Sequence, residues 1–409
     1  MNMTIRGQVS VAVTWLVLVC CNPASAQKVT TVEDLTLTQT LVQLTGPLAA
    51  RPAGEAIGLA TALEIATAPL GTSSGGFVFK LDPATGLLVR AATTFGPSFA
   101  ERAITSGEGQ VSVGVNFRST SYDKISDLSL DQLQLGSVNA ASPQVARTGT
   151  ADFALTSKTL VISGAVGVTD NFDIGTAIPV VSVKLEGATI WRNGEGTVAR
   201  LAETNSVFSG LGDVAAFAKY RVLKFGTDLP DPGGLAVLVN MRLPTGDRDN
   251  LRGLGVTRTL ASFVASGRMG RIQPHANAGY EWWSKGVDVF TNAARTSSVT
   301  ARHQIQYAAG VELEATPKLT LLVDFLGQHI RGAGQVGLVT DTAGANALGV
   351  TSYESLVALP DGLQKFTLVP GLKVNLKGKL LLTLNALMTL KNNGLHATVT
   401  PVVGLDLTL

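Results

Sequence analysis

Cysteine is nearly absent: the chain has two, Cys20 and Cys21, side by side within its first 26 residues. If that segment is removed, disulfides, cysteine zinc sites and thiol nucleophiles are excluded together. Charge is scarce too, at 15% of residues, and aromatics make up 6%. No basic tail or stripe is present, which excludes nucleic acid as a partner. The histidines are four (His275, His303, His329, His396), so hydrolytic chemistry has little to work with. After residue 26 no apolar run reaches the 18 or more residues that a membrane-spanning helix needs.

What is there is apolar and small: 45% hydrophobic residues and 44 glycines in 409. Arg6, the largely apolar stretch from Val9 to Val19, and Ala24-Ser25-Ala26 before Gln27 predict a secretory signal peptide over residues 1–26. A lipoprotein is the alternative, but the residues before the cysteines (Val19, Cys20) are not the small residue that lipid attachment usually follows. Without Arg6, 31 basic residues stand against 30 acidic ones, close to neutral. An exported, apolar chain without spanning helices leaves one membrane solution, the closed β-barrel, because lipid tolerates no unpaired backbone groups.

The period supports it. Val111, Val113, Val115 and Phe117 alternate with Ser112, Gly114, Asn116 and Arg118, and Leu235, Val237, Val239 and Met241 with Ala236, Leu238, Asn240 and Arg242. Such dyad alternation marks a strand with two different faces. Twelve segments carry it: 107–120, 150–168, 172–190, 212–225, 233–243, 257–270, 272–284, 301–315, 318–331, 362–376, 378–391 and 396–409. The links between them alternate from tight (169–171, 270–271, 316–318, 376–378) to longer (121–149, 191–211, 244–256, 285–300, 332–361), as periplasmic turns and outer loops do. The fold expected is therefore all-β: a transmembrane outer-membrane barrel of about 12 antiparallel strands, residues 107–409. The chain ends with Val403, Leu405, Leu407 and Leu409, like the closing strand and assembly signal of outer-membrane proteins, although Leu409 stands where Phe or Trp is usual.

Residues 27–106 lack the pattern. Glu33 to Leu44 and Gly54 to Ala68 suit short amphipathic helices or poor strands, and "GGFVFKLDPATGLLVR" suits a hairpin too short to span. The segment is expected to plug the lumen or lie in the periplasm; if two of its pieces join the wall, the barrel has fourteen strands.

Parity assigns a lumen-facing set. On the first half of the wall it contains Arg118, Lys219, Arg221, Asn240, Arg242, Arg258 and Arg268. On "RIQPHANAGYEWW" it contains His275, Asn277 and Glu281, with Tyr280, Trp282 and Trp283 expected at the outer interface. Further on come Arg302, Gln304, Glu312, Asp324, Lys373, Asn375, Asn385 and Asp406. Charges of both signs facing inward usually pair across a barrel; the sharper alternative is a basic lining that favours carboxylates or phenolates.

"LGDVAAFAKYRVLK", "LAVLVNMRLPTGDRDNLRGLG", "GRIQPHANAGYEWW", "VTPVVGLDLTL", "SSGGFVFKLDPATG" and "FGPSFAER" resemble segments of the outer-membrane transporters grouped under the meta-pathway of phenol degradation, distant relatives of the barrel transporters for long-chain fatty acids and toluene. The resemblance covers residues 70–409. It implies passive uptake of small hydrophobic or aromatic compounds, outer-membrane lipid and the outer-membrane assembly machinery as partners, and no cofactor. The alternatives are a general porin for small polar solutes and a structural or adhesive barrel. "LPTGDRDN" lacks the glycine and distant glutamate of a helical calcium loop and reads as a turn, so no metal is expected. An outer-membrane phospholipase of twelve strands uses serine, histidine and asparagine facing lipid, whereas His275 and Asn277 share the polar face here, so the reading is not an enzyme.

Overall fold

Twelve of the alternating segments pair with their neighbours in chain order, and the last pairs with the first. The computed structural model of the chain describes residues 29–32, 35–46, 50–73, 75–81, 86–139, 147–227, 229–342 and 345–409. The expected signal peptide and the hairpin turn at 82–85 lie outside the described residues. The wall strands are β1 (Val111–Tyr122), β2 (Arg147–Thr169), β3 (Phe172–Asn193), β4 (Ala215–Lys224), β5 (Gly233–Arg242), β6 (Arg258–Gly267), β7 (Ile272–Trp283), β8 (Ser298–Thr316), β9 (Leu319–Asp341), β10 (Ser352–Lys377), β11 (Leu380–Asn392) and β12 (Val399–Thr408). All wall pairings are antiparallel, and β12 closes on β1 with Val402 opposite Arg118 and Thr408 opposite Ser112. The wall therefore has twelve strands; of the described N-terminal residues Thr30–Thr31 alone joins the sheet, in parallel beside residues 202–203 and outside the closed ring, which removes the fourteen-stranded alternative.

Side chains sort as the period demands. Val113, Val115, Phe117, Leu235, Val239, Val311, Leu313, Val403 and Leu405 are exposed on the outside, an apolar belt of a kind that water-soluble proteins rarely present. The barrel is a transmembrane one of the outer-membrane type. Tight turns lie at one end, between β2 and β3, β6 and β7, β8 and β9, and β10 and β11, which by the usual asymmetry is the periplasmic end.

The outer end departs from expectation. Residues 198–211 form a strand, not a loop, paired with the upper part of β3 (Leu201 opposite Ile190), while the lower part of β3 pairs with β4. One long run is thus broken at 212–214, and its upper half stays on β3. The span 332–361 is also largely strand, since β9 and β10 keep pairing up to Asp341 and Tyr353. Within 121–149, residues 133–139 pair with both β2 and β10. These segments alternate too weakly to announce themselves because, above the membrane, no lipid requires their outer face to be apolar. In 243–250 the Asp247 carboxylate accepts from the backbone amides of Asp249 (2.9 Å) and Asn250 (3.2 Å), which closes a turn.

The undecided N-terminal stretches are helices. α1 (Leu37–Thr45) starts from a Thr36/Gln39 capping box, and α2 (Arg51–Thr67) has Pro52 in its first turn. Fourteen of the 17 residues of α2 are buried, so it is apolar nearly all round, as a helix enclosed on every side must be. Gly54 allows α1 to lie against it: a Cβ there would be 2.7 Å from the Val42 Cα. A two-stranded piece (Phe79–Leu81 with Leu88–Arg90) follows, and the chain then runs outside any strand to β1, its last residues Gly109 and Gln110 bonding the Gly167 backbone (2.9 Å each).

Candidate functional site

The polar inward face of a barrel needs partners, because charges buried without them are costly. Here most of the partners are backbone groups of residues 64–106, supplied level by level.

At the outer level α2 descends from the loops, where Glu55 accepts from the Phe290 amide (3.2 Å) and faces Arg295 (3.6 Å). It has no basic residue in its own last turn. The wall supplies what is missing: Arg242 donates to the carbonyls of Ala66 (2.5 Å) and Ala68 (3.2 Å), and Arg258 to Ala66 (2.8 Å). Gln328 donates to Thr67 (3.1 Å) and Arg118 to Pro69 (2.9 Å). Three carbonyls of the helix end, the Pro69 carbonyl just past it and the negative end of the helix dipole are met by wall cations and an amide. Beside them Lys365 grips Glu64 at 2.6 Å, Arg258 pairs with Asp213 (3.1 Å), and Asn240 borders a small cavity with Arg242.

At the middle level the extended run 95–106 is held by its backbone. One oxygen of Asp324 accepts the amides of Ser98 (3.1 Å), Phe99 (3.0 Å) and Ala100 (3.3 Å), and the other meets His275 Nε2 at 2.9 Å. Lys373 donates to the carbonyls of Phe95 (3.3 Å) and Pro97 (2.8 Å), Asn277 accepts from the Glu101 amide (3.0 Å) and Ser266 from the Ala103 amide (3.1 Å). Lys219 donates to Ile104 (3.2 Å), Asp173 accepts from the Ser106 amide (2.9 Å), and Asn385 lies 2.9 Å from the Ser98 hydroxyl. Glu312 faces the other His275 nitrogen at 3.5 Å, and Asp406 accepts from Thr383 (3.3 Å). Asn375 lies half-buried nearer the periplasmic end.

At the periplasmic end Arg221 forks onto both oxygens of Asp231 (2.6 Å each), Lys80 approaches the same carboxylate (3.4 Å), and Arg268 donates to Pro230 (3.3 Å). Burial alone would push the Asp231 carboxyl up, but the Arg221 fork and the Gly233 amide hold it below its ordinary 3.8. Burial pushes the Lys80 ammonium down, so Arg221 dominates this knot. A lowered carboxyl stabilises above its unfolded pKa, and that stability is lost as pH falls through the folded value. As pH falls below 3.8, amides 86–92, tied to this knot where the Asp231 amide donates to the Ala91 carbonyl (2.8 Å), are therefore expected to lose protection in hydrogen exchange, and the Asp231→Asn variant should show little pH dependence there.

Two assignments made by parity are corrected. Arg302 is exposed on the outer face, because a bulge at His303 (φ of 49°) inserts a residue between the pairs Arg302–Arg331 and Gln304–Ile330 and reverses the alternation. Ala301 and Gln304 therefore both point inward. Trp283 is buried with its ring nitrogen on Glu281 (2.7 Å), where Gln304 also donates (2.8 Å), whereas Trp282 is exposed and forms an edge-to-face pair with Tyr280. Consecutive residues of a strand cannot share a face. Asp173, Ser266, Gln328 and Lys365 share the inward parity and belong to the same set, although parity ranks them no higher than any other polar residue. Glu64 carries no periodic signal at all.

Above the filled lumen lies a vestibule of about 680 Å³ between the two helices and the loops 248–254 and 287–295. Leu59, Ala62, Leu251, Leu254, Val289 and Phe290 give it an apolar floor, and Arg51, Arg248 and Glu55 stand around it. Deeper cavities of about 50, 90 and 40 Å³ follow the thread past Pro69, Gly71 and Phe99. Such spaces hold one or a few waters.

No protein-family model and no curated protein matches the chain. Among solved structures it is similar to an outer-membrane channel from Pseudomonas putida F1, with 12% identity over 75% of this chain and 98% of that one and a TM-score of 0.46. It is also similar to the toluene transporter of Ralstonia pickettii (12% identity, 74% and 90% covered, TM-score 0.34) and to a FadL homologue of Pseudomonas aeruginosa (10% identity, 82% and 95% covered, TM-score 0.33).

Proposed function

We propose that this chain is an outer-membrane channel for passive uptake of small hydrophobic or aromatic compounds, stoppered by its own N-terminal segment. In this reading residues 1–26 direct export, the outer-membrane assembly machinery inserts the barrel, and no cofactor takes part. The observation that carries the reading is the apolar-floored vestibule of about 680 Å³ set directly on a filled lumen. Its size is that of a pocket for a small organic molecule. A compound captured there leaves water for apolar side chains, then passes when the run 68–106 shifts within the barrel. A permanently open porin for polar solutes is disfavoured by the backbone of residues 66–69 and 95–106, which wall side chains hold inside the lumen.

The test uses 1-N-phenylnaphthylamine, whose fluorescence reports entry through an otherwise intact outer membrane. Cells that carry the chain are expected to take it up faster than cells without it. Leu251→Ser and Leu59→Ser each remove about 1.5–3 kcal/mol of apolar contact and should weaken capture roughly tenfold or more. Proteoliposomes of the same protein should not swell in arabinose. Probe uptake indifferent to both substitutions, together with arabinose swelling, would sink the proposal in favour of a porin.

A further inference from the structure

The bulge at His303 redirects a basic side chain of β8. It aims Arg302 outward, so that it stands directly opposite Arg331 across β8 and β9, and both are exposed. Like charges at directly opposed positions repel. Neither guanidinium has an ion pair or side-chain hydrogen bond among the described residues, and the nearby Asp288 is engaged by the Thr300 hydroxyl at 2.5 Å. Two further polar groups continue the row: His329 lies two residues below Arg331 and opposite Gln364, and Lys391 leans across to donate to the Gln364 side chain (3.2 Å).

The height of this row identifies what it meets. Arg331 lies twelve residues from the start of β9, which for a strand tilted as barrel strands are is roughly 30 Å along the axis, just past an apolar belt about 25 Å tall. Directly beneath it are exposed Ile305, Tyr307, Val323 and Leu321, with Tyr280 and Trp282 one strand away at the level where aromatic rings mark a lipid interface. Bulges re-aim side chains at functional places. This one puts a pair of forked cations at the headgroup level of the outer leaflet, above a surface that fits acyl chains.

We propose that the Arg302–Arg331 pair is a docking site for a phosphate-bearing lipid headgroup of the outer leaflet, with its acyl chains on the belt below. Two guanidiniums match a phosphate's oxygens in fixed fork geometry, and a dianion relieves their mutual repulsion. A free phosphate would gain the forks and nothing from the apolar belt.

Native mass spectrometry of the full chain released from micelles tests this, with diphosphorylated lipid A, its dephosphorylated form and inorganic phosphate as probes. Heat-modifiable gel migration confirms that each variant is folded. The chain is expected to retain diphosphorylated lipid A, with about tenfold weaker binding in the Arg302→Gln/Arg331→Gln double variant. Lys158→Gln/Lys184→Gln, elsewhere on the rim, should bind as the parent does, and the dephosphorylated lipid should bind poorly to all. Equal retention by the arginine variant, or retention indifferent to the lipid's phosphates, would overturn the site. Inorganic phosphate that binds as tightly as the lipid would overturn the lipid assignment.

Discussion

Asp324→Ala is expected to open repeatedly in planar bilayers, where the parent chain is expected to stay silent. A single carboxylate oxygen of Asp324 accepts three consecutive backbone amides, those of Ser98, Phe99 and Ala100, inside the lumen. A buried donor left without its acceptor costs about 1–3 kcal/mol. Three such donors lower the docking free energy of the thread by roughly 3 kcal/mol at the least, which multiplies the open-to-closed ratio by more than about a hundred. His275 loses its 2.9 Å partner in the same variant. Asn at this position keeps one oxygen for the three amides, while it loses the charge and turns an NH2 toward His275, so Asp324→Asn should open far less often than Asp324→Ala. If Asp324→Ala remains as silent as the parent while folded, the carboxylate does not hold the closed state.

The second large effect is expected at the outer level. Arg242→Gln combined with Arg258→Gln should render cells sensitive to vancomycin, which an intact outer membrane excludes. These two arginines supply three of the hydrogen bonds that end α2, at Ala66 and Ala68, and they face the negative end of its dipole. Removing one partner of a buried charged contact costs about 3–5 kcal/mol, because the carbonyls, and Asp213 in the case of Arg258, remain buried. Arg242→Lys keeps the charge but not the fork that spans two carbonyls, and should fall between parent and double variant. Unchanged vancomycin resistance in the folded double variant would mean that α2 does not need its wall contacts to seal the barrel.

Both effects arise from contacts that connect very distant parts of the chain, and this decides what a reading of residues in order can reach. Period-two alternation in Val111–Arg118 or Leu235–Arg242 records a force that acts on each strand by itself: lipid on one side demands apolar residues and the lumen permits polar ones. It therefore shows the strand, its faces and their number. It says nothing of what occupies the polar side. Arg242, Arg258 and Lys219 read equally well as lining for anions; in the folded chain they are ligands of backbone carbonyls 176, 192 and 115 positions away. Residues 27–106 left helix and strand undecided because α2 is buried on nearly all sides, so no apolar stripe distinguishes one face from another.

The sequence by itself determined a closed membrane barrel of twelve strands, because hydrophobic patterning and turn length are local and the bilayer imposes them on every strand alike. Only the tertiary structure decided that the N-terminal run enters the lumen, that the inward charges bind its backbone, and that one bulge at His303 turns Arg302 from the lumen to the outer rim. Those outcomes depend on which unpaired backbone groups meet which side chains once the ring has closed, and on a single φ angle. Neither leaves a period in the chain.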